Sequence, residues 1–202
     1  MPDDAPAGWT PERVRARLAP EPVPGWTSGD EGHVPGPDLV PAAVLIGLVA
    51  RPQGPHLLLT QRTAHLRDHA GQIAFPGGRM EPGDPDPVAC ALREAHEEIG
   101  LAPDRVRVLG ATAPYTTVTG FRVHPVVGWI EPPVELRPDP FEVADLFELP
   151  LAWALDPARH ERRSGTRPNG TVRSFWAIPY GERFIWGATA GMLVNLACLL
   201  RR

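Results

Sequence analysis

Glu94, Glu97 and Glu98 stand three and four residues apart in the stretch Arg93-Glu94-Ala95-His96-Glu97-Glu98-Ile99-Gly100-Leu101. On a helix turning by about 100° per residue they share one side, because residues three and four apart are surface neighbours. Val88, Leu92, Ala95 and Ile99 fall on another narrow face, which can bury. Like charges so close cost about a few tenths of a kcal/mol per pair, so folding alone gives no reason for the cluster. A hard divalent cation would turn the repulsion into attraction, since Mg²⁺ takes oxygen ligands and bridges carboxylates to phosphates. Taken alone, an acidic helical run is more often a solvated face. The linked Gly77-Gly78 turn and the Arg93-Glu94 pair shift the balance toward a metal-assisted hydrolysis of a pyrophosphate.

The helix that must carry these carboxylates has clear punctuation. Asp86 is its expected N-cap, Pro87 its first residue, and Gly100 lies just past its end. Upstream, residues 39–50 form a mostly apolar, β-rich run, Gly54-Pro55 marks a turn, and 56–60 read as a second strand, making a hairpin over 39–60. Pro76-Gly77-Gly78 should break the chain sharply, with a loop through Asp86. Strands are expected at 105–113, 121–130 and 171–178, and a closing helix over 187–200. Residues 141–149 fit either type of element. Trp186 and the apolar side of the last helix read as core.

Residues 1–37 are rich in Pro, Gly and Asp and read as a surface arm with one short helix near 11–19, capped by Thr10. Residues 38–202 read as one domain without internal repeats. The chain has 202 residues, enough for a substantial core, with 43% hydrophobic and 22% charged residues, which excludes a disordered chain. A formal net charge of −4 argues against a general nucleic-acid binder. Every cation among the 20 Lys and Arg is Arg, a pattern that a GC-rich genome produces by itself. The two cysteines, Cys90 and Cys198, suit a reducing compartment and core positions rather than a disulfide. His65, His69 and His96 lack the spacing of a zinc site. No signal peptide and no membrane-length apolar run is evident, so a cytoplasmic protein is expected.

The chain resembles the Nudix hydrolases. Arg93 to Leu101 matches the second half of their box position by position. The first half departs: Gly78 to Arg93 is one position longer than in the general box, and Asp84 rather than Glu follows six after Gly78. One subgroup, the coenzyme A pyrophosphatases, shows such a departure. Its upstream motif is matched by Leu58-Leu59-Thr60-Gln61-Arg62-Thr63, then Arg67, Gly71 and Phe75-Pro76-Gly77-Gly78, with Thr63 replacing Ser but keeping a hydroxyl. Ile185-Trp186-Gly187-Ala188-Thr189-Ala190 is also similar to this subgroup.

The resemblance implies an α/β fold, a Nudix α/β/α sandwich with a mixed central β-sheet. It implies hydrolysis of coenzyme A or its derivatives to 3′,5′-ADP and 4′-phosphopantetheine, with Mg²⁺ or Mn²⁺. Glu94, Glu97, Glu98 and the Gly77 carbonyl would be metal ligands. Glu142 and Glu97 are rival general bases. Arg62, Arg67, Gly77 and Gly78 would meet substrate, at least one Arg taking a phosphate; an ion pair holding the loop is the competing role for each Arg. Arg93 would hold Glu97. NADH, ADP-ribose or another nucleoside diphosphate derivative is the alternative substrate, and a non-catalytic nucleotide sensor the more distant one. A small-molecule substrate, no nucleic acid and no membrane are expected, and a homodimer is a candidate assembly.

Overall fold

A computed structural model describes residues 8–19, 21–31, 38–65, 70–166, 170 and 172–202. The long apolar run forms β1 (Val40–Val49), buried on both faces. Its odd-numbered residues Ala43, Leu45 and Val49 enter one core, and Ala42, Ile46 and Leu48 enter another. Burial on both faces is why the run reads as nearly continuous rather than alternating. β1 lies parallel to β7 (Phe121–Ile130) along ten residue pairs.

The other ladders of the main sheet are antiparallel, so it is mixed. Its order is β3 (Ile73–Ala74), β2 (His56–Arg62), β1, β7, β5 (Val106–Ala111). Three strands pair off this path: β4 (Gly77–Arg79) on β1, β6 (Tyr115–Thr116) on β7, and β8 (Val143–Pro150) on β2. The hairpin expected over 39–60 is present but short. β1 pairs β2 only at Leu48–Leu57 and Val49–His56, because β4 occupies β1 at Ala42–Val44. The Gly-Gly segment is therefore a strand rather than the turn its sequence suggests.

Helices cover both faces of the sheet. α2 (Pro87–Ile99) closes one core with Cys90, Ala91, Ala95 and Ile99. α1 (Pro11–Arg17), α3 (Leu151–Leu155) and α4 (Ala188–Leu200) close the other. A second sheet of β9 (Glu161–Thr166), β10 (Val172–Tyr180) and β11 (Arg183–Trp186) adds Ile178 and Ile185 to that layer. The result is the expected α/β/α sandwich. Among the described residues no helix is long and apolar enough to cross a membrane.

Three expectations need correction. The described part of the N-terminal segment is docked rather than lying free on the surface. Val14 is fully buried, Thr27 exchanges two 2.8 Å hydrogen bonds with Asn195 of α4, and Asp30 accepts from the Tyr115 hydroxyl and the Val118 amide. Trp186 is 40% exposed, edge-on to Phe175, while its neighbour Ile185 takes the core position. The buried face of α2 is rotated toward the carboxylates: Val88 and Leu92 are only half-buried, whereas Ala91 and Glu98 are buried. Cys90 and Cys198 are free thiols, the first buried and the second partly so.

Candidate active site

α2 forms where local signals place it. The Asp86 carboxylate accepts from the Ala89 amide at 2.9 Å, and Pro87 begins the helix without an amide that would need a partner. Gly100 ends it in the left-handed conformation (φ 68°), which favours glycine, and its amide returns to the His96 carbonyl. The helix is thereby fixed in length and phase, and its acidic side is aimed at β4.

Glu98 is the deepest of the three carboxylates, with a side chain 7% exposed. The Gly77 amide donates to its Oε2 at 3.3 Å, and the Arg62 guanidinium lies 3.7 Å from its Oε1. Burial pushes its pKa up to about 8, against the Gly77 hydrogen bond and Arg62, which pull it down; the charges of Glu94 and Glu142 push it further up. Glu94 faces the next residue of β4. A β-carbon at Gly78 would lie 2.5 Å from Glu94 Oε1, and one at Gly77 would overlap the Ala43 carbonyl and the Val44 backbone. Close approach of backbone thus requires glycine at position 77, whereas a β-carbon at position 78 would displace the Glu94 carboxylate. Burial also raises the Glu94 pKa, opposed by Arg93.

Glu97 stands apart, its side chain 57% exposed and held by Arg93 at 2.8 Å. Arg93 does what its position suggested and more. Its Nε and one terminal nitrogen each donate to Asp84 at 3.0 Å, it bonds the Arg79 carbonyl at 3.1 Å, and it lies 3.0 Å from Glu94. The Asp84 side chain is 5% exposed. The Arg93 hydrogen bonds hold the Asp84 carboxyl at a pKa of about 2 and raise that of Arg93. The Asp that replaces the usual acidic position of the box is therefore the brace between the loop and the helix. Sequence assigned it no role, because nothing local says which cation a loop Asp will meet.

The turn that bears Glu142 is tied to the ends of α2 and β2. The Asp139 amide donates to the Glu98 carbonyl at the end of α2, and the Asp139 carboxylate accepts from the Phe141 amide, closing a tight turn. Thr63, at the end of β2, holds the other flank. Its amide donates to the Glu142 carbonyl at 2.9 Å, and its hydroxyl donates to the Phe141 carbonyl at 2.8 Å. Nothing local marks Asp139 as a site residue, and for Thr63 the signal is the hydroxyl retained in the upstream motif. Arg62 meets Glu98, the ion-pair role rather than an open phosphate site. Arg67 and His69 lie outside the described residues. His65 packs edge-on to Phe141, and His96 is exposed.

Glu94, Glu98 and the Gly77-Gly78 backbone are brought together, and Glu142 is near enough for its charge to act on both carboxylates; Glu97 is held one step away. The donor set is all oxygen, with two partly desolvated carboxylates against glycine backbone. That suits Mg²⁺ or Mn²⁺ bound by one or two carboxylates together with substrate phosphates, which is the habit of Mg²⁺. Among the described residues no three acidic, His or Cys side chains form a closed cage for an ion.

Residues 39–168 match the sequence model of the NUDIX domain. The uncharacterized Nudix hydrolase NudL of Escherichia coli K12 is 48% identical over 156 residues, covering 77% of this chain and 80% of that protein. A protein of the same name from Shigella boydii serotype 18 matches to the same extent, 48% over 156 residues. Among solved structures, the Nudix hydrolase RenU of M. smegmatis has a TM-score of 0.49 at 24% identity, covering 64% of this chain and 81% of that one.

Proposed function

The chain belongs to the Nudix family of hydrolases, which act on nucleoside diphosphate derivatives, and from that premise we propose that it cleaves coenzyme A or its derivatives. The products are 3′,5′-ADP and 4′-phosphopantetheine, or the acylated form of the latter. The observation that carries this reading is the motif within 58–78, whose residues and spacing resemble the coenzyme A pyrophosphatases; of its described residues, Arg62, Gly77 and Gly78 face Glu94 and Glu98.

Nudix hydrolases generally use divalent metal ions, and Glu94, Glu98 and the Gly77 backbone are the residues here that would hold one, with Glu97 in reserve. Mg²⁺ or Mn²⁺ bound there supplies charge neutralisation of the pyrophosphate and a lowered pKa for a bound water. The chain's own groups do the rest. Glu142, held from both flanks, takes the proton of the attacking water. Glu97 is the weaker base because its carboxylate is engaged by Arg93. Water adds at one phosphorus and the bridging P–O bond breaks, so one water is consumed per coenzyme A. Arg93 keeps the helix and the β4 loop in register during turnover.

The test is a Mg²⁺ assay with coenzyme A, an acyl-coenzyme A, dephospho-coenzyme A, NADH and ADP-ribose, with products identified by mass. Release of 3′,5′-ADP from coenzyme A is the expected outcome. Cleavage of NADH or ADP-ribose alone would keep the carboxylate site and overturn the substrate.

A further inference from the structure

We infer that Arg62 and Thr63, two adjacent residues of the upstream motif, act as positioning residues for Glu98 and Glu142 and do not read the substrate. This rests on the reading above, in which Glu98 holds the metal and Glu142 takes a proton. The register of β2 against β8 shifts between Gln61 and Arg62: Gln61 opposes Asp145 and Arg62 opposes Val143. The extra residue, Ala144, lies on β8, so β2 keeps its regular alternation up to Arg62. Gln61 and Arg62 project to opposite faces of the strand, as strand geometry requires. Gln61 turns toward Gly71, and Arg62 turns beneath α2 to Glu98.

The Arg62 side chain is 27% exposed, and its Nε is shut off from solvent without a hydrogen-bond acceptor. Its charge faces a carboxylate that is 7% exposed. This is a poor posture for capturing an incoming phosphate and a good one for fixing a buried anion. Thr63 is itself buried, at 7%, and both of its donors end on the backbone of the turn that bears Glu142. The same turn is tied by Asp139 to the Glu98 carbonyl. The end of β2, the Glu142 turn and the end of α2 thus form one hydrogen-bonded circuit around the two carboxylates.

The experiment uses the full chain with Arg62→Met, Arg62→Lys, Thr63→Val and Thr63→Ser, each also combined with Glu98→Gln or Glu142→Gln. Readouts are kcat and KM for coenzyme A and dephospho-coenzyme A, and Mn²⁺ binding by the electron paramagnetic resonance of the free ion. Thr63→Val and Arg62→Met should each lower kcat about tenfold or more, as loss of groups that orient ligands does, and by the same factor for both substrates, with KM changed less than about twofold. Thr63→Ser should restore the rate, because the hydroxyl is kept, and Arg62→Lys should restore part of it. Arg62→Met should weaken Mn²⁺ binding about tenfold, but have no further effect once Glu98 is Gln. Thr63→Val should add nothing to Glu142→Gln.

A KM increase for coenzyme A alone would overturn the inference in favour of 3′-phosphate recognition. Full additivity with Glu98→Gln or Glu142→Gln would overturn it too. The Mn²⁺ arm needs no substrate, so it stands whether or not coenzyme A is cleaved. Unchanged Mn²⁺ binding in Glu98→Gln itself would instead sink the assignment of Glu98 as a ligand. Melting temperatures identify any variant that fails to fold, and the conservative Lys and Ser variants then carry the comparison.

Discussion

α2 and α4 are both 13 residues long and solve opposite problems. α4 carries no charged residue and is buried at 11 positions, so it has no solvent stripe. A helix with no charged side and its two polar side chains, Thr189 and Asn195, buried against backbone partners is core. α2 buries five positions, one of them Glu98, and keeps the rest for carboxylates and Arg93. α4 has no side-chain cap and is held by packing and by the Asn195 and Thr189 hydrogen bonds; α2 has a capped start, a glycine stop and an Arg93 brace. Stability and chemistry are thus assigned to different helices, and each can be perturbed without the other.

The largest effect should come from Glu98→Gln. It removes a metal ligand while keeping size and the Gly77 contact, so the rate should fall about 10³-fold, the size expected for several kcal/mol of Lewis-acid assistance. Burial already disfavours the charged form of Glu98, so a neutral amide should leave the melting temperature within about 3 °C of the parent. A large fall in melting temperature would mean that the α2 carboxylate supports the fold, and the division between the helices would collapse.

Leu193→Ala is the converse. Leu193 is fully buried in the α4 core, and such truncations cost about 2–5 kcal/mol through lost burial and a residual cavity. For a chain of this size that is a drop of about 5–15 °C in melting temperature. kcat at 25 °C should stay near the parent value for the folded fraction. A selective loss of kcat would show that α4 shapes the site, for which the Thr189 hydroxyl bond to the Ile73 carbonyl offers a route.

The two helices were also unequally legible. Both were placed by local signals, and α2 was placed from Pro87 to Ile99 because Asp86, Pro87 and Gly100 act within one turn of its ends. Its buried face departs from the apolar periodicity because Glu98 is buried by distant partners, Gly77 and Arg62, which periodicity cannot reveal. β3 and β4 escaped notice because strands of two and three residues have no period of their own and exist only by pairing with β2 and β1. Residues 141–149 fit either element because the strand they enter is interrupted by a bulge; the ladder with β2 makes Val143–Pro150 β8. In the site, the carboxylates and the Gly-Gly segment were readable, whereas the Thr63, Asp84 and Asp139 contacts depend on tertiary approach.

The brace on α2 gives a pH test. Asp84 titrates at about 2 in the folded chain, below its ordinary 3.8, because Arg93 donates to it. A depressed carboxylate stabilises the fold fully above about pH 4 and loses that contribution as pH falls toward about 2. Asp84→Asn should therefore melt several degrees below the parent at pH 7, with the gap closing over that acid window. A gap independent of pH would show that the Asp84 side chain matters by shape and not by charge.

The smallest effect belongs to the cap. Asp86 accepts from the Ala89 amide, and losing such a cap costs about 1 kcal/mol, or about 2–4 °C here. Asp86→Ala should show that drop with the pyrophosphatase rate nearly intact, because Arg93 still pins the first half of the helix to the β4 loop through Asp84 and the Arg79 carbonyl. Asp84→Asn combined with Asp86→Ala should then lose more activity than the two single changes predict, since both supports of the α2 N-terminal half are gone. Simple additivity in rate would mean that the packed face of α2 holds it for catalysis without the two N-terminal supports.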